Sequence, residues 1–327
     1  MDCEVRVERL PIVVVHHGAP DWCRESVAAI EASVGVAADV YVVDNGGHPA
    51  LAASDLPPSA TLVRPGENLG YSGGANAGLR RALAEHPASP WLAIACHDAR
   101  PGETTLRTLV SVLEDDPTIG IVGPQLRGAT NSTGGSWRLG RARNHLPRPD
   151  DAHLVERDWV SGCLLVVRRT CLLETGGLDE RFGSYVEDVD LCLRARDAGW
   201  RVVCSNESFV STAGSTSPER YRFAARNAMV LVAKRHGAPA AHVVSLRYLA
   251  RGVRALMSGI AARHRTATRR QESRRWGRAN IDAAVGSQTR RLVRAVAADP
   301  HGGHTRLHPA TSDAKPAQHR GRTSVTR

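Results

Sequence analysis

A regular alternation of short apolar segments and helix-like segments over residues 10–124 most constrains the fold. Short β-branched runs that are apolar throughout are typical of parallel strands buried on both faces, whereas apolar residues three and four positions apart predict helices. The predicted strands are 10–17, 39–44, 60–65, 90–98 and 119–124, and the predicted helices are 21–34, 73–86 and 103–116. This order predicts a doubly wound α/β sheet.

The remainder of the chain predicts a less regular arrangement. Residues 125–157 are rich in Gly, Arg, Pro and Asn, which indicates a loop or an irregular hairpin. Strands are predicted at 158–169 and 201–205, and helices at 170–175, 187–199, 217–236, 239–262 and 279–297. From about residue 299 the composition predicts a disordered tail.

Charge is distributed unevenly along the chain. Residues 251–327 contain 17 Lys and Arg against 4 Asp and Glu, a net of +13, whereas residues 1–250 carry a net of −3. A basic C-terminal segment of this kind favours phosphate-rich partners, either an anionic membrane or a nucleic acid. Sparse aromatic residues and the lack of a recognition motif there argue against nucleic acid.

The predicted helix 239–262 allows two interpretations. It carries apolar residues on one side and arginines beside them, so it can either pack on the core or lie on an anionic bilayer. The apolar residues are Val243, Val244, Leu246, Leu249, Val253 and Leu256, and the arginines are Arg247, Arg251 and Arg254, followed by Arg263, Arg265, Arg269 and Arg270.

Several features of the sequence favour a cytoplasmic protein. The chain has no apolar run of about 18 residues, which argues against a membrane span. Its charged first residues lack the apolar core of a signal peptide. None of its seven cysteines form a CxxC pair, and buried thiols in a reducing compartment are the simplest interpretation.

Polar residues and glycines follow three of the predicted strands, where ligands bind in open α/β sheets. Each has an ordinary alternative, such as a turn, a helix cap or close helix–sheet packing. Together they suit a sugar nucleotide, with acceptors for hydroxyl groups and a carboxylate that holds a divalent ion against the diphosphate. No GxGxxG follows the first strand, which argues against a dehydrogenase. The residues are Asp44, Asn45, Asn68, Gly70, Gly73, Gly74, His97 and Asp98.

A second candidate site is the acidic stretch "LDERFGSYVEDVDLCLRARDAGWR", residues 178–201. Carboxylates in a first helical turn can simply complement the helix dipole, which would account for Glu187 and Asp188. The nearby Phe182, Gly183 and Tyr185 indicate a shaped pocket instead. Crowded carboxylates near apolar groups raise one another's pKa, and such a carboxylate is a suitable general base. The remaining carboxylates are Asp179, Glu180 and Asp190.

Six sequence blocks, taken in their order along the chain, resemble family 2 glycosyltransferases of the GT-A fold, especially the rhamnosyltransferase-like branch. The matching blocks are "VYVVDNGG", "ENLGYSGGANAGLR", "WLAIACHDA", "WVSGCLLVVRR", "GGLDERFGSYVEDVDLCLRARDAGWRV" and "RYRFAARNAMVLVAKRHG". The resemblance implies an α/β fold of the GT-A (nucleotide-diphospho-sugar transferase) type, a Rossmann-like sheet with a C-terminal helical extension. The implied divisions are a transferase domain at 1–238, a basic helical extension at 239–298 and a basic tail at 299–327.

The resemblance further implies an inverting transfer from a nucleoside-diphosphate sugar to the hydroxyl of a glycan, a lipid-linked acceptor or a small molecule. Asp44 would contact the nucleotide, and Asp98 would bind the metal or the ribose. Asp188 would be the base, with Glu187 as the second member of an acidic pair. The donor pocket would further include Asn45, Asn68, Gly70, Gly73 and Gly74.

Three positions depart from the family pattern. The family's metal motif usually has two acidic residues or Asn-Pro-Asp, whereas this chain has Cys96-His97-Asp98. Thr212 stands where many members have a His, and His16-His17-Gly18 replaces Thr-Tyr-Asn at the end of the first strand. A divalent cation, Mn²⁺ or Mg²⁺, is expected with Asp98 and His97 as ligands, although a lone His is more often structural. The alternative function is a catalytically weak GT-A-like protein that binds sugar nucleotides or acts as a scaffold. A lipid-linked acceptor would place the protein peripherally at the inner face of the membrane.

Overall fold

The computed structural model describes residues 9–47, 50–128, 131–148, 152–213, 219–261, 267–303 and 307, with only the backbone of 259–261 and 267–270. The strands are β1 (Arg9–His16), β2 (Ala37–Asp44), β3 (Thr61–Val63), β4 (Trp91–Cys96), β5 (Arg100–Pro101), β6 (Ile119–Gly128), β7 (Gly135–Arg138), β8 (Arg141–Asn144), β9 (Leu154–Glu156), β10 (Leu164–Arg168) and β11 (Arg201–Thr212). The helices are α1 (Pro20–Glu31), α2 (Gly70–Glu85), α3 (Thr105–Asp115), α4 (Arg169–Thr175), α5 (Glu187–Asp197), α6 (Glu219–Ala261), α7 (Ala267–Val285) and α8 (Ser287–Ala298).

A mixed sheet with the order β3-β2-β1-β4-β10-β6-β11-β5 forms the centre of the protein, and β9 pairs with β11 beside it. Strands β3, β2, β1 and β4 run parallel, whereas β10 is antiparallel to both of its neighbours. In this register His16 pairs with Asp44, and Val15 pairs with Cys96. The carboxyl ends of β1, β2 and β4 therefore meet at one edge, which we call the strand-end edge.

Alternate residues of β1 face two separate hydrophobic cores because successive side chains of a strand point to opposite faces. Ile12 and Val14 pack with residues of α1 and α3, whereas Val13 and Val15 pack with residues of α2. Gly78 lets α2 approach the sheet closely, since a Cβ there would lie 2.3 Å from Cγ1 of Val13. The buried strands and the amphipathic helices of the sequence thus produce a three-layer arrangement.

The structure confirms the predicted α/β alternation and corrects several element boundaries. Within the predicted strand 158–169 only β10 is a strand, and the predicted strand 201–205 continues to Thr212. The predicted helix 279–297 is two helices separated at Gly286, and β5 was not predicted. Gly237 has non-helical angles (φ 79°, ψ 172°) inside α6, between the predicted helices 217–236 and 239–262.

The described residues at the start of the predicted tail contact the body of the protein. Arg181 donates hydrogen bonds to the carbonyl oxygens of Asp299 (2.6 Å) and Pro300 (3.0 Å), and Leu307 is 3% exposed. Residues 304–306 and 308–327 lie outside the described part of the chain. Within the described residues, no helix has the length and apolar character needed to cross a bilayer.

Candidate active site

His16 and Asp44 lie side by side at the strand-end edge. His16 is fully buried and Asp44 is 9% exposed. Among the described residues, His16 Nε2 and Asp44 Oδ1 are buried without a hydrogen-bond partner. Because buried polar atoms are nearly always hydrogen bonded, these two atoms mark a place where a ligand can supply the missing contacts.

Asn45 and Asn68 hold the loop that precedes α2. Asn45 Nδ2 donates to the carbonyl oxygen of Gly70 (2.8 Å), and Asn45 Oδ1 accepts from the amide of Leu69 (2.9 Å). Asn68 Oδ1 accepts from the amide of Gly70, also at 2.9 Å. The two asparagines therefore shape the entrance to α2 through the backbone.

Gly73 and Gly74 are buried in the first turns of α2, and the space around them favours the packing alternative. A Cβ at Gly73 would lie 2.6 Å from Cβ of Leu69. A Cβ at Gly74 would lie 3.0 Å from Cγ1 of Val15 and 3.2 Å from Cγ of Asn45. Gly74 therefore lets the start of α2 pack against the strand-end edge, whereas Gly73 makes room for Leu69 just before the helix.

His97 faces His16 across the ends of β1 and β4. Their Nδ1 atoms are 3.2 Å apart, and the backbone amide of His17 donates to His97 Nδ1 at 3.4 Å. Burial lowers the pKa of His16 to about 4, with a further lowering by His97, and burial also lowers the pKa of His97. Both imidazoles are therefore neutral near pH 7. Asp98 follows and is 9% exposed.

Gly162 connects the strand-end edge with the acidic stretch. Its carbonyl oxygen accepts a hydrogen bond from the Tyr71 hydroxyl (2.7 Å) and lies 3.7 Å from the Cys96 thiol. Its amide donates to Asp188 Oδ2 at 2.9 Å. Gly162 thus links Asp188 to Cys96 at the end of β4.

The acidic stretch divides into two sets of carboxylates, and the first set is structural. Lys234 of α6 lies 2.8 Å from Asp179 and 2.7 Å from Asp190. Arg181 pairs with Asp179, and Arg194 pairs with Asp190. Burial alone would raise the pKa of Asp179 and Asp190, but these cations hold it below the usual value.

Glu187 and Asp188 form the second set, and no Lys, Arg or His of the described chain forms an ion pair with either. Glu187 is 6% exposed, and its Oε2 is buried without a partner. Asp188 is half-buried and accepts from the amides of Gly162 and Val189 (2.8 Å). Burial raises the pKa of both carboxyls, and the charge of Asp188 raises that of Glu187 further. Carboxyls with such raised pKa values can accept and release protons closer to neutral pH than ordinary carboxyls do.

A strained loop presents this acidic pair. Tyr185 (φ 74°) and Val186 (φ 75°) are left-handed immediately before Glu187, which costs on the order of 1–3 kcal/mol for each such residue. Asn227 of α6, fully buried, donates to the carbonyl oxygens of Phe182 (2.8 Å), Ser184 (2.8 Å) and Tyr185 (2.6 Å). Helix α6 therefore fixes the backbone that leads to the acidic pair.

Several residues of this site had no predicted role. The block "RYRFAARNAMVLVAKRHG" resembles the family, but its sequence does not show what its polar residues contact. Others carry no local signal, because their partners lie far away in the chain; Asn76, for instance, bonds the backbone of Leu178 at 2.8 and 2.9 Å. The residues are Tyr71, Asn76, Gly162, Arg226, Asn227 and Lys234.

Comparisons with known proteins identify the family of this chain. The family model described as glycosyltransferase-like family 2 matches residues 9–230. N-acetylglucosaminyl-diphospho-decaprenol L-rhamnosyltransferase of Mycobacterium tuberculosis is 30% identical over 220 residues, which cover 58% of this chain and 71% of that protein. An uncharacterized protein of Mycobacterium bovis is 30% identical over 249 residues, covering 71% of this chain and 87% of its own length.

Two solved structures share the fold. A mannosyltransferase from Pyrobaculum calidifontis, in complex with GDP-Man and Mn²⁺, aligns with a TM-score of 0.54 at 18% identity and covers 87% of this chain and 88% of its own. GalNAc-T7 with UDP, GalNAc and Mn²⁺ aligns with a TM-score of 0.52 at 14% identity over 67% of this chain. This chain spans about half of GalNAc-T7, 48% of its length.

The mixed sheet and its likeness to these two structures show the GT-A fold. The chain belongs to glycosyltransferase-like family 2, and its curated relatives include rhamnosyltransferases. The fold and family implied by the sequence blocks are confirmed.

Proposed function

We propose that this enzyme transfers a sugar, with inversion, from a nucleoside-diphosphate sugar to an acceptor hydroxyl. The observation that carries the proposal is the Glu187–Asp188 pair, two carboxyls with raised pKa and no cationic partner in the described chain, next to the end of β4. A carboxylate in this setting removes a proton from an attacking hydroxyl more readily than an ordinary surface carboxylate.

Asp188 is the proposed base. Its carboxylate is half-buried, and two backbone amides orient it. Burial and the charge of Asp188 raise the pKa of Glu187, which favours Asp188 as the ionised member of the pair. Once the acceptor hydroxyl has lost its proton to Asp188, attack on the anomeric carbon inverts its configuration in one step as the nucleoside diphosphate leaves.

The donor is proposed to bind along the strand-end edge. Asp44 Oδ1, buried and without a partner among the described residues, can accept a hydrogen bond from the nucleotide. Asn45, Asn68 and Gly70 shape the adjoining loop, and Gly73 and Gly74 let α2 approach the nucleotide. In this role the donor supplies the hydrogen bond that Asp44 Oδ1 lacks within the described chain.

The side chains at the strand-end edge fit a divalent cation that the protein and the donor hold jointly. Asp98 offers a carboxylate there, and Mg²⁺-like ions commonly bind one or two carboxylates together with substrate phosphates. In the described part of the chain, no three His, Cys, Asp or Glu side chains are grouped to hold an ion by themselves. Asp98 would be the protein ligand, with His97 beside it, and the cation would neutralise charge on the diphosphate.

Replacing Asp44 or Asp98 with alanine is expected to weaken donor binding about tenfold or more, because each change removes an acceptor or ligand from the donor site. Isothermal titration with a panel of sugar nucleotides, with and without Mn²⁺, measures the affinity. Asp115→Ala, at the exposed end of α3, is the matched control and should bind the donor normally. Unchanged affinity in both site variants would place the donor elsewhere.

The proposed acceptor is lipid-linked. The relative from M. tuberculosis is named for a rhamnosyl transfer to a diphospho-decaprenol intermediate. By this likeness the donor sugar is a deoxyhexose such as rhamnose, and the acceptor hydroxyl belongs to a sugar carried on a lipid diphosphate. An enzyme of this kind meets its acceptor at a membrane surface.

The second part of α6 carries a surface suited to such contact. Val244 packs into the core (1% exposed), whereas the large apolar residues on the other side of the helix are exposed. They are Val243 (49%), Leu246 (66%), Val253 (47%) and Met257 (62%), and the exposed Arg247, Arg251 and Arg254 lie beside them. We call this set the α6 stripe. In the proposed division, residues 1–238 carry the transfer reaction and 239–298 the membrane contact.

Binding to anionic vesicles is expected to depend on the arginines of the α6 stripe. Each basic residue near an anionic surface contributes roughly 1 kcal/mol. Replacing Arg247, Arg251 and Arg254 with glutamine should therefore weaken co-sedimentation by about two orders of magnitude. Salt should weaken the binding of the unaltered protein, and neutral vesicles should pellet little of it.

Three arginines of α7 provide the control, since Arg274, Arg275 and Arg278 are also exposed and their replacement by glutamine removes the same charge. This variant should keep most of the binding. Equal loss in the two triple variants would mean that net charge alone is responsible and would contradict a specific role of the α6 stripe.

A further inference from the structure

A cavity of about 260 Å³ lies between the first part of α6 and the junction of α7 with α8. Arg222 and Arg226 line it from α6, Arg291 lines it from α8, and Asp282 lines it from α7. Sites that enclose a drug-sized ligand measure roughly 300–1,000 Å³. The cavity therefore suits a small charged group, and we call it the arginine cavity.

Positive charge in the arginine cavity exceeds the negative charge that the lining provides. Arg222 approaches Glu219 only at 4.0 Å across an exposed pair. Arg226 has its pKa lowered by burial and by the charge of Arg222, so the two guanidinium groups repel each other. An anion between these arginines and Arg291 would relieve that repulsion and form charge-assisted hydrogen bonds.

The start of α8 adds further donors to the same cavity. Gly286 makes no side-chain cap, and the first turn of α8 contains no acidic residue. The amides of a helix's first turn have no partner within the helix, and they favour anions. Thr289 in this turn lines the cavity and is 6% exposed, and no hydrogen bond of its hydroxyl is found within the described residues.

Arg226 connects the arginine cavity with residues 182–186, which lead to Glu187 and which we call the acidic-pair loop. Arg226 Nη2 donates to the carbonyl oxygen of Phe182 at 2.6 Å, and the next residue, Asn227, bonds the carbonyl oxygen of Tyr185. Tyr185 precedes Glu187 by two positions. A ligand in this cavity would therefore sit beside the backbone that positions the proposed base.

We propose that the arginine cavity binds the diphosphate of a lipid-linked acceptor, an inference that rests on the proposed function. The donor site proposed above lies at the strand-end edge, whereas this cavity is lined by α6, α7 and α8. A diphosphate held here places the acceptor sugar next to the acidic-pair loop. The α6 stripe follows on the same helix and would receive the lipid chain.

The test compares ligand binding by the full-length protein and its variants. Arg222→Gln with Arg291→Gln removes two exposed guanidinium groups from the cavity and leaves Arg226, which also holds the loop, in place. Isothermal titration uses a short-chain prenyl diphosphate, inorganic diphosphate and the nucleoside diphosphate of the donor. Hydrogen bonds with a charged group typically contribute enough for about a tenfold change in affinity each. The double variant should bind the prenyl diphosphate and inorganic diphosphate at least tenfold more weakly.

Two comparisons separate this inference from the proposed function. The double variant should bind the nucleoside diphosphate of the donor normally. Arg274→Gln removes charge from an exposed position of α7 outside the cavity and should bind the prenyl diphosphate and inorganic diphosphate normally. Unchanged affinity for both diphosphate probes in the double variant would overturn the inference while leaving the transferase site untouched. Loss of nucleoside diphosphate binding alone would also overturn it, because the cavity would then serve the donor. Thermal unfolding of the variant should match that of the unaltered protein.

Discussion

Asp188→Asn is expected to reduce sugar transfer by about 10²-fold or more, the usual scale for the loss of a general base. Asparagine has nearly the same shape but cannot accept the proton of the acceptor hydroxyl. Its side-chain oxygen can still accept one of the backbone hydrogen bonds that Gly162 and Val189 donate to the carboxylate. Donor affinity, measured by isothermal titration, should therefore remain nearly unchanged while turnover falls.

The dependence of turnover on pH provides a second test of Asp188 as the base. A base must be ionised, so activity of the unaltered enzyme should fall as the pH drops through the pKa of the pair, which burial raises above the usual carboxyl value. That acid limb should disappear in Asp188→Asn. Asp197→Asn, at the exposed end of the same helix, should keep both the rate and the limb. Near-normal turnover of Asp188→Asn would exclude Asp188 as the base.

The sequence was sufficient to predict the layers of the fold and one edge of the site. The apolar, β-branched composition of 10–17 and 39–44 predicts buried strands, and the carboxyl ends of parallel strands meet at one edge of the sheet. Asp44 and the residues after Cys96 could therefore be expected together before their register was known, whereas His16 was not among the expected site residues. Boundaries were less certain where a turn interrupts an apolar run, as it does at Gly162 just before β10.

The division of the acidic stretch could not be predicted from its own residues. Asp188 and Asp190 are two positions apart, yet one faces backbone amides while the other faces Lys234, which lies 44 positions further along the chain. The choice between base and structural ion depends on how α6 packs against this stretch. In the same way, Asn227 supports a strained turn 42 positions earlier, and no local pattern encodes that pairing.

Lys234→Met is expected to lower the free energy of unfolding by about 3 kcal/mol. Lys234 is 6% exposed and pairs with two fully buried carboxylates, Asp179 and Asp190. Removing one partner of a buried ion pair typically costs 3–5 kcal/mol because a buried charge is left without compensation. The lower end applies here, since Arg181 and Arg194 still face the two carboxylates. Methionine retains the apolar stem, and urea unfolding measures the difference.

The neighbouring Arg235 provides a matched control, because it pairs with Asp197 at the surface. Exposed pairs contribute about 0–1 kcal/mol, so Arg235→Met should unfold almost as the unaltered protein does. The dependence of stability on pH provides a second test. The cations hold the pKa of Asp179 and Asp190 below the usual value, so their contribution is present at neutral pH and is lost as the pH falls below about 4. The difference between Lys234→Met and the unaltered protein should therefore narrow in acid. Equal losses in the Lys234 and Arg235 variants would show that the buried ion network does not stabilise the loop that leads to the acidic pair.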